Sequence, residues 1–168
     1  MIYKFKDKTP DTQKAAFIAE SADIVGDVTL GEDSTIWFNT SLRGDIAPVV
    51  VGKGTNIQEG AVLHVEHNTP CIVGDNVTVG HGAIIHGTKI GSRSLVGMGA
   101  IILSNSEIGE DSVVGAGALV TEGKIFPPKS LIIGSPARKI REITDSDIER
   151  MKKASEEYIE LGKELAKK

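Results

Sequence analysis

An aliphatic side chain returns every six residues through most of this chain. Ile18, Ile24, Leu30, Ile36 and Leu42 open the series, and after a break it resumes as Val51, Ile57 and Leu63. A second break precedes Val73, Val79 and Ile85; then, one residue short, come Ile90, Val96, Ile102, Ile108, Val114 and Val120. Glycine often follows, as at Gly31, Gly52, Gly74, Gly80, Gly91, Gly97, Gly109 and Gly115, and a small or β-branched residue frequently stands four positions on. A period of six predicts a parallel β-helix of hexapeptide repeats: each repeat gives a short strand and a turn, three make a coil, and stacked coils bury aliphatic columns. A sandwich of short strands would carry turn signals every 8–12 residues instead. The expected fold class is therefore an all-β solenoid.

Composition agrees. Seven aromatics (one Trp, two Tyr, four Phe) are few for 168 residues, because a thin core lined by Ile, Val and Leu has no room for large rings. The nineteen glycines are spread out rather than gathered in a linker, as tight corners require. The β-helix is expected over residues 1–142, with FPPKSLIIGSPARKI (126–140) as a proline-stiffened crossover. Residues 143–168 change period: Thr144 and Asp145 are capping signals, and Ile148, Met151, Ala154, Tyr158, Leu161 and Leu165 recur at three-and-four spacing. One amphipathic C-terminal α-helix packed on the β-helix is expected.

Several function classes drop out early. Net charge is −4 with a pI near 5.6, and the lysines are scattered, so no nucleic-acid surface is expected. No apolar run is long enough to span a bilayer, and MIYKFKDKTP lacks the apolar core of a signal peptide. A single cysteine, Cys71, has no partner for an internal disulfide, which fits a reducing, cytoplasmic setting. It reads as a small buried apolar residue rather than a metal ligand or nucleophile.

The histidines are the unusual feature. With the two breaks discounted, Leu42, Leu63 and Ile85 fall three repeats apart, on one face in successive coils. The residues that follow them, Arg43, His64 and His86, then form a ladder at about 4.8 Å spacing. Two imidazoles so placed can share a metal ion, since zinc–nitrogen bonds are about 2.1 Å. His81 lies on the preceding face and points elsewhere. A threefold assembly of parallel prisms would unite them, His81 of one subunit meeting His64 and His86 of the next. His67, in an inserted loop, is expected to face solvent, where it could carry protons.

IWFNTSLRGD (36–45), NIQEGAVLHV (56–65), VTVGHGAIIHG (77–87) and VGMGAIIL (96–103) together resemble the gamma-class carbonic anhydrases, over about residues 10–165. The resemblance implies a left-handed β-helix, a homotrimer and metal sites at the subunit interfaces. It implies His64, His81 and His86 as metal ligands, and Arg43 and Asp45 as an ion pair near the interface. Gln58 would hydrogen-bond the metal-bound solvent, with Asn56 its neighbour in the motif, and Tyr158 would approach the site from the helix. The implied reaction is reversible hydration of carbon dioxide to bicarbonate by a metal-bound hydroxide, with Zn2+ as cofactor and Fe2+ or Co2+ also compatible with three histidines. Two departures stand out: Ile46 replaces a glutamate found after the aspartate in one type of the family, and the long acidic loop is shortened to VEHNTPC. Glu66 or His67 would then move the proton.

Two other classes of function remain open to the sequence. A hexapeptide-repeat acyltransferase would use His81 or His86 as general base toward acyl-CoA, and the same metal hydroxide could hydrolyse a thioester. Alternatively, the metal site would be structural in a non-catalytic trimer.

Overall fold

The aliphatic period builds the core it predicts. In the computed structural model, which describes residues 1–167, short strands stack into a left-handed parallel β-helix of about seven turns, followed by one helix. The first face is made by Phe17–Ile18, Thr35–Ile36, Asn56–Ile57, Thr78–Val79, Leu95–Val96, Val113–Val114 and Ser130–Gly134. The second carries Ile2–Tyr3, the openings of the long strands Asp23–Leu30 and Ser41–Val51, then Val62–His64, Ile84–His86, Ile101–Ile102 and Leu119–Val120. The third takes the ends of those long strands, then Cys71–Val73, Lys89–Ile90, Glu107–Ile108 and Ile125–Phe126.

Pairing is in register down each face. On the second, Ile24, Leu42, Leu63, Ile85, Ile102 and Val120 lie in sequence over one another, all fully buried. Each such side chain contributes about 1.5–3 kcal/mol by leaving water. The small residues four positions on fill the inner corners, Ala61, Ala83, Ala100 and Ala118 among them. Hydroxyl-bearing members satisfy themselves locally: Ser34 Oγ donates to Gly31 O at 2.8 Å and Thr40 Oγ1 to Trp37 O at 3.0 Å.

Two segments differ from the sequence expectation. Residues 126–140 are no simple crossover: Phe126 and Ile132 continue the six-residue series, and Ser130–Gly134 then turns back antiparallel onto Ala137–Glu142. The helix, Asp145–Leu165, starts at a capping box on Thr144 and Asp147 and packs on the first face. It does so through most of the expected stripe, Ile148, Met151, Ala154, Tyr158 and Leu165 being buried or partly buried, but Leu161 gives way to its neighbour Gly162. Met151, Ser155 and Gly162 are buried, whereas Leu161 is 50% exposed. Small residues win because the helix backbone comes close: a Cβ on Gly162 would stand 2.5 Å from Thr35 Cγ2, and Ser155 Oγ donates to Gly54 O at 3.0 Å.

The three faces therefore end differently. The helix covers the first. The third presents the outward column Ile72, Lys89, Glu107 and Ile125, interrupted by charge. The second begins its outward column with Asp23 and Ser41 and continues it with Val62, Ile84, Ile101 and Leu119, an aliphatic run that the helix does not cover. Among the described residues, no helix is long and apolar enough to cross a membrane.

Candidate metal centre

One edge of the second face carries His64 and His86. Their strands pair with these two residues directly opposed, so the ladder read from the sequence exists. His64 Nδ1 faces His86 Nε2 at 3.1 Å. Both outer nitrogens are engaged: His64 Nε2 lies 3.1 Å from Asp45 Oδ1, and His86 Nδ1 lies 2.8 Å from Ser104 Oγ. The other Asp45 oxygen pairs with Arg43 of the same chain. Burial pushes the Asp45 carboxyl pKa up, but the hydrogen bond from His64 and the Arg43 charge outweigh it and hold it below the usual value. Gly44, between Arg43 and Asp45, leaves no room for a side chain, because a Cβ there would run into the backbone carbonyl of Asp27 in the neighbouring coil.

An ionised Asp45 can only accept, so it keeps the proton of His64 on Nε2 and leaves Nδ1 a bare lone pair. Ser104 can donate or accept. Alone, the facing nitrogens share one N–H; with Ser104 accepting from His86 Nδ1, both present lone pairs to the space between them. Two ligands of a tetrahedral zinc with bonds of 2.0–2.1 Å stand about 3.3 Å apart, close to the 3.1 Å seen. The residues present fit a divalent metal.

His81 lies at the opposite edge of this face, on the corner before Ile84–His86. Phe38, Glu59, His81, Met98 and Ala116 form a ridge there, kept in step by amide bonds such as Gly82 N to Glu59 O and Gly99 N to His81 O, both 2.9 Å. His81 Nδ1 is 2.7 Å from Glu59 Oε2. That oxygen is buried, and no donor points squarely at it, His81 included. The exposed imidazole is close enough to turn its N–H into line with it. Beside Glu59, Gln58 donates from Nε2 to Asn56 Oδ1 at 3.1 Å, and Asn56 Nδ2 donates to Thr78 Oγ1 at 2.9 Å. This chain fixes Gln58 Oε1 as an acceptor. Tyr158 packs edge-on against Trp37, with centroids 5.2 Å apart. Burial, and then the Glu59 charge, raise its phenol pKa.

The sequence-derived residues thus fall into two groups. Arg43, Asp45, His64 and His86 are on one edge; Gln58, His81 and Tyr158 are on the other. Among the described residues, no group of three or more His, Cys, Asp or Glu gathers around one point within the chain. Glu66 and His67 are exposed in the loop beyond His64, where Glu66 Oε1 accepts from the His67 amide at 2.9 Å. Cys71 is fully buried and its thiol pKa is pushed up to about 12, which removes it as a nucleophile or ligand. Sequence reasoning missed Ser104 and Glu59. The signal was there: Glu59 precedes His81 by 22 residues, the offset between His64 and His86, and Ser104 follows His86 by one 18-residue coil.

A family model described as bacterial transferase hexapeptide (six repeats) matches residues 87–122. A carbonic anhydrase of Geobacillus kaustophilus is 48% identical over 162 residues, covering 96% of this chain and 89% of that protein. Gamma carbonic anhydrase 1, mitochondrial, of Arabidopsis thaliana is 39% identical, covering 93% of this chain and 59% of the plant protein. A crystal structure from Bacillus cereus, named as an acetyltransferase, superposes with a TM-score of 0.95 at 45% identity, covering 98% of this chain and 95% of that one. With paired imidazoles at one edge, a third at the other and relatives of this similarity across nearly its whole length, the chain belongs to the gamma-class carbonic anhydrase family.

Proposed function

We propose that this protein catalyses the reversible hydration of carbon dioxide to bicarbonate at metal sites shared between the subunits of a homotrimer. The observation that carries this reading is the division of the three histidines between opposite edges of one uncovered aliphatic face. Three copies arranged with their second faces inward bring His81 of one against His64 and His86 of the next. The same contact buries the column Val62, Ile84, Ile101 and Leu119. Closed rings follow naturally from such head-to-tail contacts.

A divalent ion held by the three imidazoles, zinc with iron(II) or cobalt(II) as alternatives, would supply a water acidified to a pKa of about 7 and hence a hydroxide near neutral pH. Gln58 Oε1, with its amide fixed by Asn56, would accept a hydrogen bond from that hydroxide and so orient an oxygen lone pair toward the substrate carbon. Ile84 and Val62 line an apolar surface suited to an uncharged, linear substrate. Exposed Glu66 and His67, beyond His64, would accept the proton that the metal-acidified water gives up and pass it to solvent. Asp45 and Arg43 hold His64 rather than touch substrate.

The structural likeness to a protein named as an acetyltransferase supports a second reading, acyl transfer from acyl-CoA with one histidine as base. That chemistry has no use for two imidazoles whose nitrogens face each other. Stopped-flow carbon dioxide hydration, with zinc and then anaerobic iron(II), tests the proposal. Metal-dependent turnover that vanishes in His81→Ala is expected. A fully metallated trimer without turnover, or acetyl-CoA consumption by metal-free protein, would overturn it.

A further inference from the structure

We propose that Glu59 is a positioning residue for His81: its carboxylate holds the imidazole proton on Nδ1 and so presents the Nε2 lone pair to a metal ion. This inference rests on the shared metal centre proposed above. The pairing at the other edge supplies the pattern. His64 has Asp45 on its outer nitrogen and His86 has Ser104, both in the same chain. His81 stands on an exposed ridge, and the polar group beside it is Glu59 Oε2, 2.7 Å from Nδ1.

That oxygen is the one buried side-chain nitrogen or oxygen among the described residues that lacks a hydrogen-bond partner. A buried carboxylate oxygen without a donor is unfavourable, and the imidazole N–H is near enough to relieve it after a small rotation. The Tyr158 phenol, on the helix, also feels the Glu59 charge but makes no hydrogen bond to it. Gly82 N bonds Glu59 O, which stacks the two residues on one ridge. Glu59 is therefore held under His81 by the backbone, as Asp45 is held beside His64. Carboxylates in this position fix which imidazole nitrogen carries the proton, and their loss typically weakens metal affinity about 10–100-fold.

The test begins with metal-free protein. Long-range 15N–1H spectra at about pH 8.5, where ordinary imidazoles are neutral, should show His81 protonated on Nδ1. In Glu59→Ala it should revert to the Nε2–H form that an unassisted side chain prefers. Glu59→Gln, which keeps an acceptor oxygen, should retain the Nδ1–H form. Zinc affinity measured by chelator competition should fall about 10–100-fold in Glu59→Ala and far less in Glu59→Gln. Wild-type His81 found as Nε2–H would overturn the inference without need of any variant, and so would unchanged zinc affinity in a folded Glu59→Ala. The metal centre fails separately, through His81→Ala binding zinc as tightly as wild type.

Discussion

Replacing Asp45 with alanine removes two contacts of different worth. One oxygen pairs with Arg43, whose side chain is 48% exposed. An ion pair that open to solvent contributes about 0.2–1 kcal/mol, so the fold should lose at most a few degrees of Tm, at about 2–4 °C per kcal/mol for a chain this size. The other oxygen, 3.1 Å from His64 Nε2, keeps the His64 proton off Nδ1. Loss of such a partner lowers metal affinity about 10–100-fold, or about 1.4–2.7 kcal/mol, more than the ion pair contributes. Asp45→Ala should therefore bind zinc about 10–100-fold more weakly with a near-normal melt. Arg43→Ala, which removes only the ion pair, should lose no more than about fivefold. Asp45→Asn keeps an acceptor oxygen and should fall between them. Competition of metal-stripped protein against a chromophoric chelator, with thermal melts alongside, measures all three. Wild-type affinity in Asp45→Ala, or an Arg43→Ala defect of equal size, would refute the reasoning.

Gly162→Ala should destabilise the protein by about 1 kcal/mol, because overpacking against Thr35 and Phe17 (about 1–3 kcal/mol) exceeds the gain in helix propensity (about 1). A higher Tm would contradict the close docking. Asp147 has its pKa lowered to about 2 by the Thr144 amide, then by Arg141 and the Thr144 hydroxyl. A depressed folded pKa means that its contribution is full above the ordinary carboxylate value of about 4 and is lost as pH falls toward 2. Helix ellipticity should decline across that window, and Asp147→Asn should flatten the decline. An unchanged profile in the variant would place the acid sensitivity elsewhere.

The solenoid was legible because a single-file core leaves its period in the sequence: each aliphatic residue from Ile24 to Val120 in the six-residue series is buried where the count puts it. The same count aligned His64 with His86. It ended too early at Val120, since Phe126 sits before two prolines and the motif thereafter looks like a linker, although Ile132 keeps the beat. The helix was read by apolar spacing, and Met151 and Tyr158 do pack, but Ser155 and Gly162 share the contact because distance of approach rather than hydrophobicity selects them. Glu59 and Ser104 went unnoticed for a different reason. They are ordinary polar residues in their own segments, and only stacking one coil on the next sets them against a histidine.

The central claim is that each metal site takes His64 and His86 from one subunit and His81 from another, and mixed trimers test it most directly. His81→Ala and the double variant His64→Ala/His86→Ala should each bind no zinc when assembled alone. Co-refolded in equal amounts, they form mixed rings in three of four cases, with one complete interface in each. Zinc content should then return to about a quarter of wild type. No recovery in properly formed mixed trimers, or zinc at wild-type stoichiometry in either variant alone, would contradict the shared site.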